Sequence, residues 1–296
     1  MQLHQLAYFV AVADERHFTR AARTMHVAQP SLSKQISALE AELGGALFSR
    51  ARGNISLTVA GEALLPLAQR ILADVDTSRT AVRELLGLQQ GRVRLGATPS
   101  LSTVLVPEVL RRFRDRYPGV QLVLDEGGSR DLIGKLAQGA LDLALIILPL
   151  HTNDPALKTI PLLNEPLVAA VPSAHPLASK AALTITDLRD VPLVMFREGY
   201  DLRAVTLAAC RKAGFDPTFA VEGGEMDAVL KMVQAGLGVA IVPTMVVADT
   251  PNLRVVPFSR PRLSRTVAIA QRRDVELSPS AQQFAGALTE FIHRDD

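Results

Sequence analysis

The chain of 296 residues has one cysteine, Cys210. No internal disulfide can form, which fits a reducing compartment. It also lacks long apolar runs. Even a stretch such as Leu141 to Leu150 is broken by Asp142 and Pro149 and is too short to cross a bilayer. Residues Met1 to Asp14 mix Gln, His and apolar groups without the basic start and long apolar core of a secretory leader. Charge of one sign is scarce: 32 Lys and Arg face 30 Asp and Glu, a net of +2. That balance neither demands nor excludes a polyanionic partner, because a small basic face can hide inside it. These absences predict a cytoplasmic protein with no membrane partner.

The means for catalysis are missing too. The histidines are His4, His17, His26, His151, His175 and His293, and no pair has the spacing of a helical metal site. Cys210 has no second thiol for zinc or a redox couple. No G-x-S-x-G elbow occurs, and no Walker-type or G-x-G-x-x-G loop follows a strand. Gly127-Gly128 and Gly223-Gly224 read as turns after strands. The expectation is no enzyme, no cofactor and no metal.

What is present is apolar material for cores, 48% of the chain, over a length that suits about two domains. The texture changes along the chain. Residues 1–57 show short helical patterns, and 58–90 form one long helical stretch with Gly61 and Pro66 in its first turns. From Arg92 onward, β-rich runs alternate with amphipathic helices, which predicts an α/β architecture with a mostly parallel sheet. In the long stretch, Leu64, Ala68, Ile71, Val75, Ser78, Val82 and Leu85 follow heptad spacing. Such a stripe buries itself against a partner helix, or lies on its own domain as an ordinary amphipathic face. Thr58 suits its N-cap.

The α/β part has the order β-α-β-α-β twice. The first run is Arg92 to Ala97, a helix with Val104, Leu105, Val109, Leu110 and Phe113, Gln121 to Asp125, a helix with Leu132, Ile133 and Leu136, and Leu141 to Leu148. The second is Leu193 to Phe196, a helix near Leu202 to Ala213, Thr218 to Val221, Met226 to Gln234, and Val239 to Val242. Two lobes with a cleft between them follow, lobe I about 91–162 and 267–296, lobe II about 163–266. Arg265 to Ala270 and a helix near Ser280 to His293 return to lobe I. Ligands of open α/β sheets sit beyond the carboxyl ends of strands. That points to the Thr98-Pro-Ser100-Leu101 loop, whose helix start favours an anion; plain capping by Ser100, Ser102 or Thr103 is the alternative. Phe196 and Arg197 close the corresponding strand of lobe II and offer a ring and a cation.

The densest pattern lies between Phe18 and Arg52. Thr19 can cap a short helix, Arg20 to Met25, in which Ala21 and Ala22 admit a close helix crossing. After the His26-Val27-Ala28 turn, Leu32, Ile36, Leu39 and Leu43 share one face of a second helix. Pro30, Ser33, Lys34 and Ser37 lie opposite, with Gln29 at the N-terminal end. Gln pairs with adenine and Lys reaches guanine acceptors or phosphate, so the face suits a major groove, although Ser and Lys are also ordinary solvated residues. Six cations against four carboxylates give residues 1–60 a net charge of +2. Arg50 and Arg52 flank a turn ahead of Ile55-Ser-Leu57, the layout of a β-wing with a basic tip.

Phe18-Thr-Arg-Ala-Ala22, Val27-Ala-Gln-Pro-Ser-Leu-Ser-Lys-Gln-Ile36, Leu39-Glu40, Leu47-Phe48, Arg50, Leu57-Thr58 and Ala60-Gly61 together resemble the N-terminal domain of LysR-type transcriptional regulators. Tyr117-Pro-Gly-Val120, Leu141-Asp142-Leu-Ala144 and Val233 to Pro243 are similar to that family's effector domain. The resemblance implies a winged helix-turn-helix over 1–57, a linker and dimerisation helix over 58–90, and a periplasmic-binding-protein-like effector domain over 91–296. It implies that Gln29, Pro30, Ser33 and Lys34 approach bases, and that Arg50, Arg52 and Asn54 approach the backbone or minor groove. Lys34 stands where many members carry Arg, exchanging a planar fork for a point charge. In the cleft, the resemblance adds Gly128, Ser129, Ile147, Val221 and Glu222, and Glu222 there works against an anion. The implied partners are double-stranded promoter DNA, a small-molecule effector, further copies in a homodimer or homotetramer, and RNA polymerase. Family members that sense peroxide use paired cysteines, which this chain cannot copy. The competing reading is a solute-binding protein or small-metabolite enzyme with a helical N-terminus.

Overall fold

The structure is a computed structural model, and it describes residues 1–49, 55–87, 91–150, 155–247, 252–259 and 262–294. The chain divides into two compact units, Met1–Gln89 with Ala137–Ala140 and a second of Gln90–Leu136 with Leu141–Asp296.

The first unit runs α1 (Leu3–Glu15), α2 (Phe18–Thr24), α3 (Gln29–Leu43), β1 (Phe48–Ser49), β2 (Ser56–Leu57) and α4 (Val59–Leu85). Each helix buries the apolar residues spaced three and four apart: Leu6, Phe9 and Val12 from α1, Ala21 and Ala22 from α2, and Leu32, Ile36 and Leu39 from α3. Phe48 closes this core, its ring 5.3 Å from Phe9 and 5.7 Å from Phe18. Leu43, expected on the buried face, is instead 47% exposed, because the helix ends there at Gly44 in a left-handed conformation. The cap of α2 also differs from expectation. His17 Nδ1 accepts from the Thr19 N–H, so the helix begins at Phe18 and Thr19 lies inside it.

Thr58 does cap α4: its hydroxyl accepts from the Gly61 N–H at 3.1 Å and donates to the Ala46 carbonyl at 2.7 Å. Gly61 is required here by close approach, since a Cβ would sit 2.2 Å from the Leu47 carbonyl oxygen. Thr58→Ala is expected to cost about 1–2 kcal/mol of stability, read as a lower urea midpoint of the first unit.

The heptad stripe of α4 divides. Leu64, Ala68 and Ile71 pack on the unit's own core, whereas Val82 and Leu85, together with Leu86 just beyond the helix, are 55%, 77% and 65% exposed.

In the second unit, β3 (Arg92–Ala97), α5 (Pro99–Arg116), β4 (Gln121–Glu126), α6 (Ser129–Ala137) and β5 (Leu143–Leu148) form the first β-α-β-α-β run. A long strand, β6 (Leu157–Pro172), follows. Then come β7 (Leu193–Phe196), α7 (Asp201–Lys212), β8 (Phe219–Gly224), α8 (Met226–Gln234), β9 (Ala240–Pro243), β10 (Leu253–Pro257), β11 (Ser264–Arg272) and α9 (Pro279–Arg294).

Strand β3 pairs in parallel with β4 and β5, while β11 is antiparallel to β5 and β6, and β6 is antiparallel to β9 and β10. The arrangement is therefore mixed and not mostly parallel. The cause is the pair of long strands that pass between the lobes in opposite directions. Residues 157–166 of β6 pair with β11, and Leu167–Ala170 pair with β9, so the exchange of partners falls at Pro166–Leu167, past the expected 162/163 junction.

Each lobe has its own core. Leu143, Leu145 and Ile147 face α5 and α9 with Phe113 and Phe284, and Ala144 and Ile146 face α6, so β5 is buried on both sides. Lobe II packs Val194, Phe196, Val229, Val233 and Ile241. On α5 the buried positions are Leu101, Leu105, Val106, Val109 and Phe113, while Val104, expected inward, is 39% exposed.

Candidate nucleic-acid interface and ligand cleft

The face of α3 opposite Leu32, Ile36 and Leu39 carries Gln29, Pro30, Lys34 and Ser37, all exposed, with Ser33 half-buried. Pro30 stands in the first turn, where its missing N–H costs nothing. His26, between α2 and α3, holds a positive φ of 53°, which turns the chain sharply there. Two contacts fix how α3 sits. Gln5 in α1, 6% exposed, donates to Gln35 Oε1 at 3.1 Å. Glu40 Oε1 accepts from the Leu47 and Phe48 N–H groups at 2.8 and 3.3 Å, tying α3 to the start of β1. Neither contact is visible in the sequence, where Gln5 stands in a mixture of polar and apolar residues and Glu40 is a charge within the Leu39-Glu40 motif. The β1–β2 ladder pairs Phe48 with Leu57 and Ser49 with Ser56. The expected tip residues Arg50, Arg52 and Asn54 lie outside the described residues.

In the second unit, the carboxyl ends of β3, β4, β5, β7 and β8 deliver the residues expected at the cleft. Thr98 is the N-cap of α5 but makes no capping bond. Its side chain is buried and Oγ1 has no hydrogen-bond partner. Ser100 does not cap either; its Oγ accepts from Arg265 Nη1 at 2.7 Å. Thr103 donates within α5 to the Pro99 carbonyl. Leu101 lies wholly inside the lobe I core, so it shapes the site from behind.

Ser129 joins the lobes. Its N–H and Oγ donate to Asp201 Oδ2 at 3.2 and 2.8 Å, and Oγ accepts from the Ile147 N–H at 2.9 Å. Beside it, a Cβ on Gly128 would stand 2.5 Å from the Gly199 carbonyl oxygen, so glycine lets the lobes meet.

Phe196 is buried and stacks on Tyr200, centroids 4.7 Å apart at 17°. Arg197 is engaged by the protein, Nε donating to Glu225 at 2.7 Å. Glu222 is exposed and paired with Arg203 at 2.8 Å, and Val221 is half-buried on β8.

Several groups here escaped the sequence reading. Arg265 on β11 and Glu165 opposite it on β6 form an ion pair of 2.7 Å with side chains 2% and 6% exposed. Glu165 Oε1 also accepts from the Met245 N–H at 2.9 Å. The hydroxyl of Tyr200 is buried without a partner. Burial lifts its pKa well above the usual range. Arg265 opposes the lift, and the charges of Glu225, Glu126 and Asp201 add to it.

Glu126, at the end of β4, is held above the ordinary carboxyl range, first by partial burial, then by Glu225 and Asp227 across the cleft, with Ser102 opposing. A raised carboxyl binds more protons folded than unfolded, so its effect on stability is least adverse at low pH and worsens as pH rises through its pKa.

Cys210 is buried in lobe II, and burial pushes its thiol up to about 11, the opposite of a reactive thiolate. Among the described residues no three His, Cys, Asp or Glu side chains gather as a metal site, and no helix is long and apolar enough to cross a membrane.

Comparison with known proteins agrees with both geometries. Residues 3–62 match the bacterial regulatory helix-turn-helix of the lysR family, and residues 86–292 match the LysR substrate binding domain. The chain is similar to the transcriptional dual regulator GltC of Bacillus subtilis (strain 168), with 36% identity over 296 residues, 99% of this chain and 98% of the relative. It is 30% identical to the DNA-binding transcriptional dual regulator OxyR of Escherichia coli (strain K12), over 97% of this chain and 95% of the relative. Among solved structures, a full-length OxyR variant from Pseudomonas aeruginosa superposes with a TM-score of 0.73 at 32% identity, covering 99% of this chain and 95% of that one. Full-length CbnR complexed with its target DNA superposes with a TM-score of 0.72 at 25% identity, covering all of both chains. With a helix-turn-helix that presents a polar face, a two-lobed α/β cleft and family matches across both, the chain belongs to the LysR family of DNA-binding transcriptional regulators.

Proposed function

We propose that the chain is a cytoplasmic regulator that binds paired half-sites in double-stranded promoter DNA and answers to a small molecule held between its lobes. Residues 1–57 form the reading module, 58–90 the connecting segment that contains α4, and 91–296 the effector domain. The observation that carries the reading is the polar face of Gln29, Pro30, Ser33, Lys34 and Ser37, exposed except for half-buried Ser33, on a helix whose other face is core. Such a helix, fixed from behind by Gln35 and Glu40, enters a major groove with its N-terminal residues against base edges. Arg50, Arg52 and Asn54 would hold the adjoining backbone or minor groove. A related chain bound to its target DNA supports this docking.

Val82, Leu85 and Leu86 leave an apolar stretch at the far end of α4. That is support for self-association into a homodimer or homotetramer, which would match the dyad of paired half-sites. As the resemblance implies, the bound assembly acts through RNA polymerase.

The ligand site is framed by Thr98, Ser100, Leu101, Gly128, Ser129 and Ile147 from lobe I, and by Phe196, Arg197, Val221 and Glu222 from lobe II. The lobes touch at Ser129–Asp201 and Gly128–Gly199. A ligand that binds the closed arrangement better shifts the population toward it by its differential affinity. The buried single thiol of Cys210 supports a response to a bound ligand over one to thiol oxidation.

The direct test is retardation of promoter fragments by the full chain with and without candidate ligands. Gly128→Ala should keep DNA affinity but hold the lobes apart at Gly199, cutting the ligand-induced change at least fivefold. An undiminished response would remove the lobe contact from the mechanism.

A further inference from the structure

Taking the cleft to be the ligand site, we infer that its ligand is a small zwitterion of the α-amino-acid type, its carboxylate among the Thr98 and Tyr200 hydroxyls at the start of α5 and its ammonium against Glu126. The inference rests on how the charges around the cleft are already spent. Asp201 accepts from Ser129, Glu225 is paired with Arg197, Glu222 with Arg203, and Glu165 with Arg265. Glu126 and Asp227 have no cationic partner among the described residues, and the carboxylates of Glu225 and Asp227 bear on Glu126 from the other lobe. The rim therefore holds uncompensated negative charge and favours a cationic group.

The start of α5 differs from the rim in holding unpaired donors. Thr98 is the N-cap of α5, and the positive end of that helix lies beside it. Arg265 reaches the same first turn through Ser100 Oγ and acts on Tyr200 against the carboxylates of Glu225, Glu126 and Asp201. Two hydroxyls, Thr98 Oγ1 and Tyr200 OH, are 2% and 3% exposed by residue and lack any partner. Buried polar groups are ordinarily satisfied, and a hydroxyl left unpaired is a cost that only a later partner removes. Two unpaired donors at a helix start fit a carboxylate. A bare dicarboxylate would meet Glu126 at the rim, and a bare amine would leave both hydroxyls unpaired. One molecule carrying an ammonium and a carboxylate answers both ends.

The test uses the full-length chain and the proteinogenic amino acids, screened by thermal shift and followed by calorimetry at pH 7. For the tightest binder, the matching des-amino acid and the matching decarboxylated amine are measured alongside. At least one amino acid is expected to bind, with both truncated analogues weaker by tenfold or more. Glu126→Gln should weaken the amino acid and the amine at least tenfold and leave the des-amino acid alone. Thr98→Val and Tyr200→Phe should do the reverse, and without ligand their melting temperatures should equal or exceed the parent's, because each removes an unpaired group.

A des-amino acid that binds as tightly, still sensitive to Thr98→Val, overturns the zwitterion and leaves the cleft reading intact. Binding untouched by all three substitutions overturns both. No binding by any amino acid overturns the zwitterion and leaves the cleft to the Gly128→Ala test.

Discussion

Arg265→Met is expected to destabilise the second unit by about 3–5 kcal/mol, the usual consequence of stripping one partner from a buried ion pair. The guanidinium is 2% exposed and serves two groups at once. Nε and Nη2 hold Glu165 at 2.8 and 2.7 Å, and Nη1 holds Ser100 at 2.7 Å. Without it, a carboxylate 6% exposed has the Met245 N–H as its main remaining contact.

The second substitution separates charge burial from packing. Arg265→Met with Glu165→Met together should recover most of the loss, because two well-packed apolar side chains replace a pair whose desolvation largely offsets its attraction. Urea unfolding followed on the second unit measures both. The position matters for function as well as stability: β6 and β11 are strands that pass between the lobes, and the pair clamps them where Ser100 begins α5. A single substitution costing under 1 kcal/mol would show that the clamp contributes little.

Gln29→Ala combined with Lys34→Ala is expected to remove sequence preference while leaving the fold unchanged. Each base-edge contact contributes about 1–3 kcal/mol of discrimination, so each single change should cost roughly 5- to 150-fold in specific affinity. Both side chains are exposed on α3, so melting temperature should not move. Lys34→Ala also separates two roles. If Lys34 reaches a base, the loss falls on the cognate sequence; if it reaches phosphate, affinity falls on all sequences alike and the salt slope drops by about one. Unchanged affinity and preference in the double variant would place the reading face elsewhere.

The elements that were legible in the sequence are those with strong local signals. Leu32, Ile36 and Leu39 at helical spacing, Pro30 at a helix start, and the apolar run of β5 each declare their surroundings. Leu43 did not, because a helix end escapes its own period once Gly44 turns the chain. Strands β6 and β10 carry no such signal: Pro161, Pro166 and Pro172 punctuate β6 as if it were loop, yet its ladder continues through them.

The cleft was legible only as backbone. Strand ends located Thr98 and Phe196, but Arg265 and Glu165 are 100 residues apart and meet only through strand register. The stripe on α4 held two alternatives, and both apply to different halves of one helix: Leu64 to Ile71 serve the module's own core, and Val82 to Leu86 are left exposed.

A regulator of this kind must read a symmetric DNA sequence. Footprinting of the full-length protein on the DNA upstream of its own gene, at 50 and about 200 mM salt, tests that directly. The prediction is a protected site of two dyad-related half-sites about one helical turn, roughly 34 Å, or a multiple of it apart, surviving the higher salt. Contradiction would be protection that is diffuse and vanishes at the higher salt there and on every fragment recovered from a genome-wide selection, since the exposed face of α3 would then hold nothing but phosphate.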